Sequence, residues 1–409
     1  MPFSPMQREY FRSAVHRWNV KEGATRSGKT YMDYYLIPKR IRAVAGYDGL
    51  AVILGNTKGT LQRNIIEPLQ NIWGGSFVSS IKSDNTAMLF GETVYCLGAD
   101  KVNQVDRLRG SSIKYCYGDE VVTWHPEVFD MLKSRLDKPY SRFDGTCNPE
   151  GRHHWFKNFL DSDADIYRQK YTIDDNPFLS AEFVENLKRE YAGTVYYDRY
   201  IKGLWVNAEG LIYRTFADAP QDLIIDSLPD DIIFATIGVD FGGSTSAHAF
   251  NCTAFTRGFK EMITVHDRHI KEAITPEKLY REFGCFLSEC RLKLGGGVTL
   301  ADVYCDSAEQ TLIGGLKVEA ARNGWAVNIH NAKKKEINDR IRFYCIMQGA
   351  GRYKIHKSCK ATIDAFSEAM WDGRYIGRDV RLDDGTTNID NLDAQEYSTE
   401  PYMNEIMKR

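Results

Sequence analysis

The segment "KEGATRSGKTYMDYY", residues 21–35, indicates the fold of the first half of the chain. It fits the pattern G-x-x-x-x-G-K-[ST] at Gly23, Gly28, Lys29 and Thr30. In such a P-loop the glycines let backbone N–H groups turn toward phosphates, and the following helix adds the positive end of its dipole. The lysine reaches the β and γ phosphates, and the threonine hydroxyl ligates Mg²⁺. The stretch therefore predicts a strand, an ATP-binding loop and a helix in sequence.

A pair of carboxylates follows the apolar run in "SSIKYCYGDEVV", residues 111–122. A buried parallel strand delivers acids at its carboxyl end in this way. Asp119 is then expected to hold the Mg²⁺ shell, and Glu120 to orient and polarise the attacking water. Each motif alone has an ordinary alternative: a glycine turn with a surface lysine, or a solvated acid pair at a strand end. Together they favour an ATPase.

Other strands surround these two motifs. "LAVILGNT" (50–57) and "AMLFGETVYCLGAD" (87–100) are strand-like runs, and a helix is predicted in "GTLQRNIIEPLQNIW" (59–73). "SRFDGTCNPEG" (141–151) predicts another strand that ends near Thr146 and Asn148. Such a polar strand end beside the γ-phosphate could sense hydrolysis, or it could be an ordinary Asn-Pro turn.

Two arginines compete for the role of stabilising charge in the transition state. Arg26 lies inside the loop, whereas Arg109 in "DRLRGSS" precedes the acid strand, where it could serve a neighbouring subunit. Either one could instead be a surface or phosphate-backbone contact. Gln7 in "FSPMQREYF" could bind the edge of adenine through its amide.

The second half carries acids at three separated places. Asp240 ends the apolar run "IIFATIGVD", Asp306 follows "VTLADVYC", and Asp390 and Asp393 stand three apart in "TTNIDNLDAQEYS". Each alone is a common helix cap or surface acid. As a set, they predict two Mg²⁺ or Mn²⁺ ions that hydrolyse a phosphodiester in a ribonuclease-H-like site. The basic run 333–335 could meet DNA phosphates, although such a run is usually a solvated face.

Length and composition favour a two-domain protein. The chain has 409 residues, a net charge of −2, and nine cysteines that never form C-x-x-C. The scattered cysteines predict reduced thiols, and the net charge near zero predicts that any DNA contact comes from local patches. We expect a cytoplasmic protein, because neither a signal-peptide core nor a run of about 18 apolar residues occurs. The predicted α/β organisation is a P-loop ATPase domain with a mainly parallel sheet (1–207), a linker (208–230) and a nuclease domain (231–409).

The order "GATRSGKT", "YCYGDE", "GTCNPEG", "IGVDFGGS", "VYCDSAE" and "DNLDAQEYS" resembles the large terminase subunit of tailed bacteriophages over nearly the whole chain. That family combines an ATPase and a nuclease to package viral DNA. The resemblance implies that Lys29 and Thr30 bind ATP and Mg²⁺, and that Asp119 and Glu120 form the acid pair. It implies that Thr146 and Asn148 belong to a coupling motif and Gln7 to an adenine motif. It also implies that the nuclease metal ligands are Asp240, Asp306 and Asp393.

The resemblance also implies partners. ATP hydrolysis would move double-stranded DNA into a procapsid, and the nuclease would cut concatemers. A pentamer would act on a portal protein, with a small terminase subunit that recognises DNA, in the host cytoplasm and transiently on the procapsid. The rival function is a non-packaging, repair or helicase-like ATPase whose C-terminal fold only grips DNA.

Two departures from the family pattern are visible. Relatives often place an arginine three residues before the second loop glycine, where Thr25 stands, while Arg26 comes one residue later. This favours Arg109 as the catalytic arginine. Relatives also often carry a histidine three residues before the last metal aspartate, where Asp390 stands, so an extra carboxylate could ligate metal.

Overall fold

The chain forms two compact units. The computed structural model describes residues 3–108, 110–242, 246–375 and 378–408. The first unit consists mainly of Met1–Val184 and Val195–Asn207, and the second of Glu185–Thr194, Ala208–Tyr375 and Asp379–Arg409. Among the described residues, no helix is long and apolar enough to cross a membrane.

The first unit is built on a seven-stranded, mainly parallel sheet. Its strands are β1 (Trp18–Gly23), β2 (Leu50–Gly55), β3 (Thr86–Leu89), β4 (Glu92–Gly98), β5 (Ile113–Gly118), β6 (Arg142–Cys147) and β7 (Ile166–Tyr171). Their order is β3-β4-β2-β5-β6-β1-β7, and only the pair β3–β4 is antiparallel. The loop strand β1 and the acid strand β5 therefore flank β6, and all three end at one edge of the sheet.

Helices cover this sheet. They are α1 (Pro5–Ser13), α2 (Asp33–Ala43), α3 (Lys58–Leu61), α4 (Glu67–Trp73), α5 (Pro126–Arg135), α6 (Trp155–Leu160) and α8 (Val195–Tyr200), and α7 (Ala181–Tyr191) contains the chain division. Every residue of β1 and β5 is buried, as expected for parallel strands covered on both faces. The buried charge of Lys21 on β1 is paired: its Nζ lies 2.6 Å from Asp33 Oδ1 at the start of α2. This pair fixes α2 against the loop strand.

The sequence prediction of one strand-like run over 87–100 is wrong in detail. The run is a hairpin of β3 and β4, joined by Phe90 and Gly91. Both joining residues have left-handed backbones, with φ of 52° and 87°. A two-residue turn of this kind matches the twist of the flanking strands. The remaining predicted strands, at 50–57, 111–122 and 141–151, correspond to β2, β5 and β6.

The second unit contains a mixed seven-stranded sheet. Its strands are β8 (Ile224–Ile225), β9 (Ile232–Asp240), β10 (His248–Thr256), β11 (Met262–Ile270), β12 (Thr299–Cys305), β13 (Asn328–Asn331) and β14 (Tyr353–His356). Their order is β13-β12-β9-β10-β11-β14-β8. Strands β9, β10 and β11 form an antiparallel meander, and β12 lies parallel to β9 on the other side.

Helices pack on this second sheet. They are α9 (Arg214–Asp218), α10 (Pro276–Leu294), α11 (Gln310–Arg322), α12 (Ile337–Gly349), α13 (Lys360–Glu368), α14 (Ile389–Thr399) and α15 (Met403–Met407). The segment expected to link the domains, 208–230, contains α9 and β8, and β8 pairs with β14. This segment is therefore partly ordered as secondary structure of the second unit.

A glycine allows α14 to approach β9 closely. A Cβ atom at Gly238 would lie 1.8 Å from the carbonyl oxygen of Ala394 on α14. Two positions earlier, the Thr236 hydroxyl donates to the Ser398 carbonyl at 2.7 Å. The helix therefore rests directly on the strand that ends in Asp240.

Candidate functional site

A cavity of 710 Å³ opens at the carboxyl ends of β1, β5 and β6 in the first unit. The predicted site residues that line it are Arg26, Gly28, Lys29, Thr30, Asp119, Glu120, Thr146 and Asn148. Ends of parallel strands meet at one edge of a sheet, where α/β proteins bind ligands. The fold thus brings together residues that are far apart in sequence.

The backbone of the loop requires its glycines. Gly23 has a φ of 135°, and a Cβ atom there would lie 1.9 Å from the carbonyl oxygen of Tyr171. Gly28 has a φ of 86°, and its carbonyl accepts a hydrogen bond of 2.9 Å from the Gln7 amide. The Gln7 amide oxygen accepts from the Ser4 N–H at the start of α1, at 2.9 Å. Gln7 therefore connects α1 to the loop, and its adenine role stays a prediction.

Lys29 lies folded into its own loop. Its Nζ donates to the carbonyls of Gly23 and Ala24 at 2.9 and 2.6 Å, and to Asn148 Oδ1 at 3.0 Å. Burial lowers the pKa of the Lys29 ammonium to about 8, although Cys147 and Glu120 raise it. The lysine thus touches the strand end expected to sense hydrolysis.

The helix predicted after the loop is α2. Turns occupy the residues between the loop and Met32, and α2 begins at Asp33. Arg26 within the loop has a left-handed backbone, with φ of 58°, and its carbonyl accepts from the Asn176 amide at 2.7 Å. The first N–H groups of α2 therefore lie beyond the loop in sequence, and residues in turns separate the loop from the helix.

The two acids after β5 have different environments. Asp119 is buried, and burial with repulsion from Glu120 raises its pKa to about 7. Its carboxylate accepts from the Thr146 hydroxyl at 3.3 Å. Glu120 is exposed and has a left-handed backbone, with φ of 49°. Non-glycine residues rarely adopt this conformation, which concentrates at active sites.

Sequence reasoning missed several residues of this cavity. Tyr34, Arg63, Asn64 and Asn176 also line it. They come from α2, from a π-helical turn at Gln62–Ile66, and from a loop after β7. No motif marks them, because only the fold brings them to the loop. The predicted catalytic residue Arg109 lies outside the described residues.

The acids of the second unit also converge. The N–H of Asp306 donates to the carbonyl of Val239 at 2.9 Å, so Asp306 follows β12 beside the end of β9 at Asp240. Asp393 lies on α14, the helix that packs over Gly238, and Asp390 stands one turn earlier. Burial raises the pKa of Asp240 well above its ordinary value, with repulsion from Asp393, Asp306 and Asp390. The four predicted acids therefore share one electrostatic environment.

Cations are already paired with two of these acids. Lys334 forms an ion pair with Asp306. Arg381 Nη2 and Arg340 Nη1 lie 2.6 and 3.2 Å from Asp393 Oδ1. Burial raises the pKa of Asp393, but these two guanidinium groups outweigh it and lower the pKa overall. Sequence reasoning missed both arginines.

The four acids of the second unit have the chemistry of a metal site but not its preformed geometry. Within the described ranges, no group of three or more His, Cys, Asp or Glu side chains is arranged to hold a metal ion. The chemistry of the donors nevertheless fits a hard divalent cation, because Asp240 is a buried carboxylate among other carboxylates. The metal-ligand roles of Asp240, Asp306, Asp390 and Asp393 stay predictions.

Comparison with known proteins identifies the first unit. Residues 22–217 match the family described as terminase large subunit, T4likevirus-type, N-terminal. This segment of the chain is therefore similar to the N-terminal part of terminase large subunits. No curated protein matches the sequence.

One solved large terminase, in three crystal structures, shares the fold of the whole chain. The large terminase of a thermophilic bacteriophage is 23% identical, with a TM-score of 0.82 over 98% of this chain and 99% of that one. Its complex with ADP gives a TM-score of 0.80 at 23% identity, over 99% and 100% of the two chains. Its complex with ATP-gamma-S gives 0.78 at 23% identity, over 97% and 99%. This terminase and the present chain therefore have the same α/β fold. In the present chain, the sheet of the first unit is mainly parallel and that of the second unit is mixed.

Proposed function

We propose that the chain is the ATP-hydrolysing subunit of a viral DNA-packaging motor. The observation that carries the proposal is the cavity of the first unit, which collects the loop lysine, the acid pair and the end of β6 within a segment that matches the terminase family. ATP hydrolysis in this cavity would drive translocation of double-stranded DNA into the procapsid.

The chemistry of the cavity fits a nucleotide with Mg²⁺. Thr30 supplies a hydroxyl and Asp119 a buried carboxylate of raised pKa, and both face the cavity. These two residues would hold Mg²⁺, which neutralises charge on the phosphates when bound. Glu120 is exposed at the cavity and would orient and polarise the attacking water. The Lys29 ammonium would leave the loop carbonyls and bind the β and γ phosphates instead.

The contact of Lys29 with Asn148 suggests how nucleotide is sensed. A phosphate that draws the Lys29 ammonium away would leave the Asn148 amide without this partner. Thr146 receives the Glu120 N–H at 3.4 Å and donates to Asp119, so the end of β6 contacts both acids. Thr146 and Asn148 would thereby transmit the state of the γ-phosphate to β6.

We further propose that the second unit is a ribonuclease-H-like endonuclease that cuts concatemeric DNA. The proposal is supported by the antiparallel β9–β10–β11 meander with β12 parallel to β9, and by acids at the ends of β9 and β12 and on α14. Asp240, Asp306 and Asp393, with Asp390, would hold two Mg²⁺ or Mn²⁺ ions, which activate water and stabilise the leaving oxygen when bound. The proposed domain limits remain 1–207, 208–230 and 231–409.

The proposal includes the partners of a packaging motor. A homo-pentamer would dock on the portal protein of the procapsid in the host cytoplasm, and a small terminase subunit would select the DNA. Arg109 would act on the ATP of a neighbouring subunit, because each ring interface would place one subunit beside the cavity of the next.

The proposal is tested by packaging in vitro. Purified protein, procapsids and linear DNA should give ATP-dependent protection of DNA from added nuclease, and Glu120→Gln protein should give none. In a parallel assay, the full chain should cut plasmid DNA only with Mg²⁺ or Mn²⁺. ATPase activity with DNA binding, but with neither protection nor cutting, would favour the repair or helicase-like motor instead.

A further inference from the structure

A π-helical turn carries Arg63 into the nucleotide cavity. The turn spans Gln62–Ile66, between α3 and α4, and the N–H of Glu67 donates to the carbonyl of Gln62, five residues earlier. Such turns insert one extra residue into a helix and are frequent at functional sites. The extra residue changes which side chains of the helix face the cavity.

The sequence explains why the turn forms here. Pro68 has no N–H, so it cannot make the α-helical hydrogen bond to the carbonyl of Asn64, four residues earlier. The Tyr34 hydroxyl on α2 donates to this carbonyl instead, at 2.9 Å. The Asn64 side chain also lies near the Asp119 carboxylate, where it counteracts part of the rise in the pKa of Asp119. The turn is therefore attached both to the helix after the loop and to the acid strand.

Arg63 has no polar partner in the described part of the chain. Its side chain is exposed and lines the cavity with Tyr34, Asn64 and Pro68. It makes no hydrogen bond or ion pair with any described residue. The loop ammonium of Lys29, in contrast, is committed to the carbonyls of Gly23 and Ala24. A guanidinium that lines a phosphate cavity and lacks a protein partner is suited to a ligand anion, because its planar fork matches phosphate oxygens.

Given the proposed ATPase function, we propose that Arg63 contacts the γ-phosphate of ATP in its own subunit and stabilises the transition state of hydrolysis. In that step a water oxygen bonds to the γ-phosphorus while the bond to the β–γ bridging oxygen breaks. One water proton passes to Glu120 and then to solvent, and ADP and inorganic phosphate leave. The positive charge of Arg63 offsets the charge that develops on the transferred group.

The test compares Arg63→Ala with Arg42→Ala, a matched control because Arg42 is an exposed arginine on α2. Calorimetry measures the Kd values for ADP, ATP-gamma-S and ADP–aluminium fluoride, and steady-state assays measure kcat and KM. Arg63→Ala should lose about 100-fold in affinity for ADP–aluminium fluoride and a similar factor in kcat, while its ADP affinity stays within about twofold. Arg63→Lys should recover part of the loss, since it keeps the charge without the fork.

Two further variants separate a catalytic from a structural role. Pro68→Ala restores the missing N–H and should reduce kcat toward the Arg63→Ala value, with no additional loss in the double variant. Mixing Arg63→Ala with Glu120→Gln subunits should restore no activity, because a cis arginine leaves neither subunit type with a complete site.

Several results would overturn the proposal. The first is an Arg63→Ala variant with unchanged affinity for ADP–aluminium fluoride and a normal kcat. The second is an equal loss of affinity for ADP together with a lower Tm, and the third is restored ATPase activity when Arg63→Ala and Glu120→Gln subunits are mixed. A wild-type chain that hydrolyses no ATP would instead refute the proposed function itself, so the two failures are distinguishable.

Discussion

The two acidic sites of this molecule differ in how their charges are balanced. In the first unit, Asp119 and Glu120 form no ion pair with any described residue, and Asp119 is held by neutral groups such as the Thr146 hydroxyl. In the second unit, Asp306 is paired with Lys334, and Asp393 with Arg381 and Arg340. The acids of the first site thus have no cationic partner among the described residues, whereas those of the second site are paired with cationic side chains of the protein.

The two sites differ because they have different requirements before a ligand binds. A nucleotide cavity must remain open, so its acids are spaced along one strand end and tolerate a raised pKa. Acids gathered from two strands and a helix repel one another in a buried place, so the fold needs permanent cations to hold them. The second site is therefore stabilised by its own arginines, whereas the first depends on its ligand.

The largest expected effect separates two residues of the first site. Glu120→Gln should reduce ATP turnover by about 10²–10⁴-fold with near-normal nucleotide binding, because the water loses its polarising carboxylate. Lys29→Ala should instead weaken ATP binding itself. Calorimetry with ATP-gamma-S beside a phosphate-release assay measures both. Normal turnover in Glu120→Gln protein would remove the residue from its role.

The next change addresses the second site alone. Asp240→Asn should abolish metal-dependent cutting of plasmid DNA and leave ATP turnover unchanged, because the acid lies at the end of β9 in the other unit. Asp364→Asn on α13 serves as the control. The full chain should also gain Tm on addition of Mn²⁺, and Asp240→Asn should shrink that gain. Cutting that survives the loss of Asp240 would place the nuclease site elsewhere.

Removal of an arginine from the second site should show that its acids depend on cationic side chains of the protein. Arg381→Ala leaves Glu396 and Asp393 with one buried partner fewer and should cost about 3–5 kcal/mol in the free energy of unfolding. Arg374→Ala, which removes a surface arginine paired with Asp372, should leave this free energy unchanged. Urea denaturation measures both. Equal stability of the two variants would mean that the arginines do not hold the acid cluster.

A smaller effect is expected from the packing of α14. Gly238→Ala places a Cβ atom on the Ala394 carbonyl, so the helix must shift, and we expect a loss of about 1–3 kcal/mol together with reduced cutting. Gly314→Ala on α11 is the matched control, because a Cβ atom there meets nothing within 4 Å. It should be neutral or stabilising. Full cutting by Gly238→Ala protein would show that the helix position is not critical.

The smallest effect is a pH dependence in the first site. Because the pKa of Asp119 is raised to about 7, the folded protein binds a proton that the unfolded chain has lost, so this group reduces stability as pH rises from its ordinary pKa toward 7. The cost is fully present above about pH 7. Asp119→Asn should therefore raise Tm over wild type at about pH 8 and match it at about pH 4. A constant Tm difference at both pH values would contradict the raised pKa.

Sequence patterns predicted the parts of the sites that depend on strand ends. The loop at Gly23 to Thr30, the acid pair after β5 and the polar end of β6 come together because parallel strands end at one edge. Asp240 and Asp306 become neighbours for the same reason. The sequence missed the β3–β4 hairpin, since Phe90 stands at the first turn position, where Asn, Asp or Gly is usual.

Local sequence patterns were enough to predict the α/β class, the loop, the strand-end acids and the resemblance to large terminases, because glycine geometry and buried strands are local properties of the chain. Only the tertiary structure decided which cations balance those acids, how α14 reaches β9 over Gly238, and which face of the π-helical turn carries Arg63 to the cavity. Arg340, Arg381 and Arg63 belong to no local pattern. Their roles arise from contacts between residues distant in sequence, and packing of the whole unit sets those contacts.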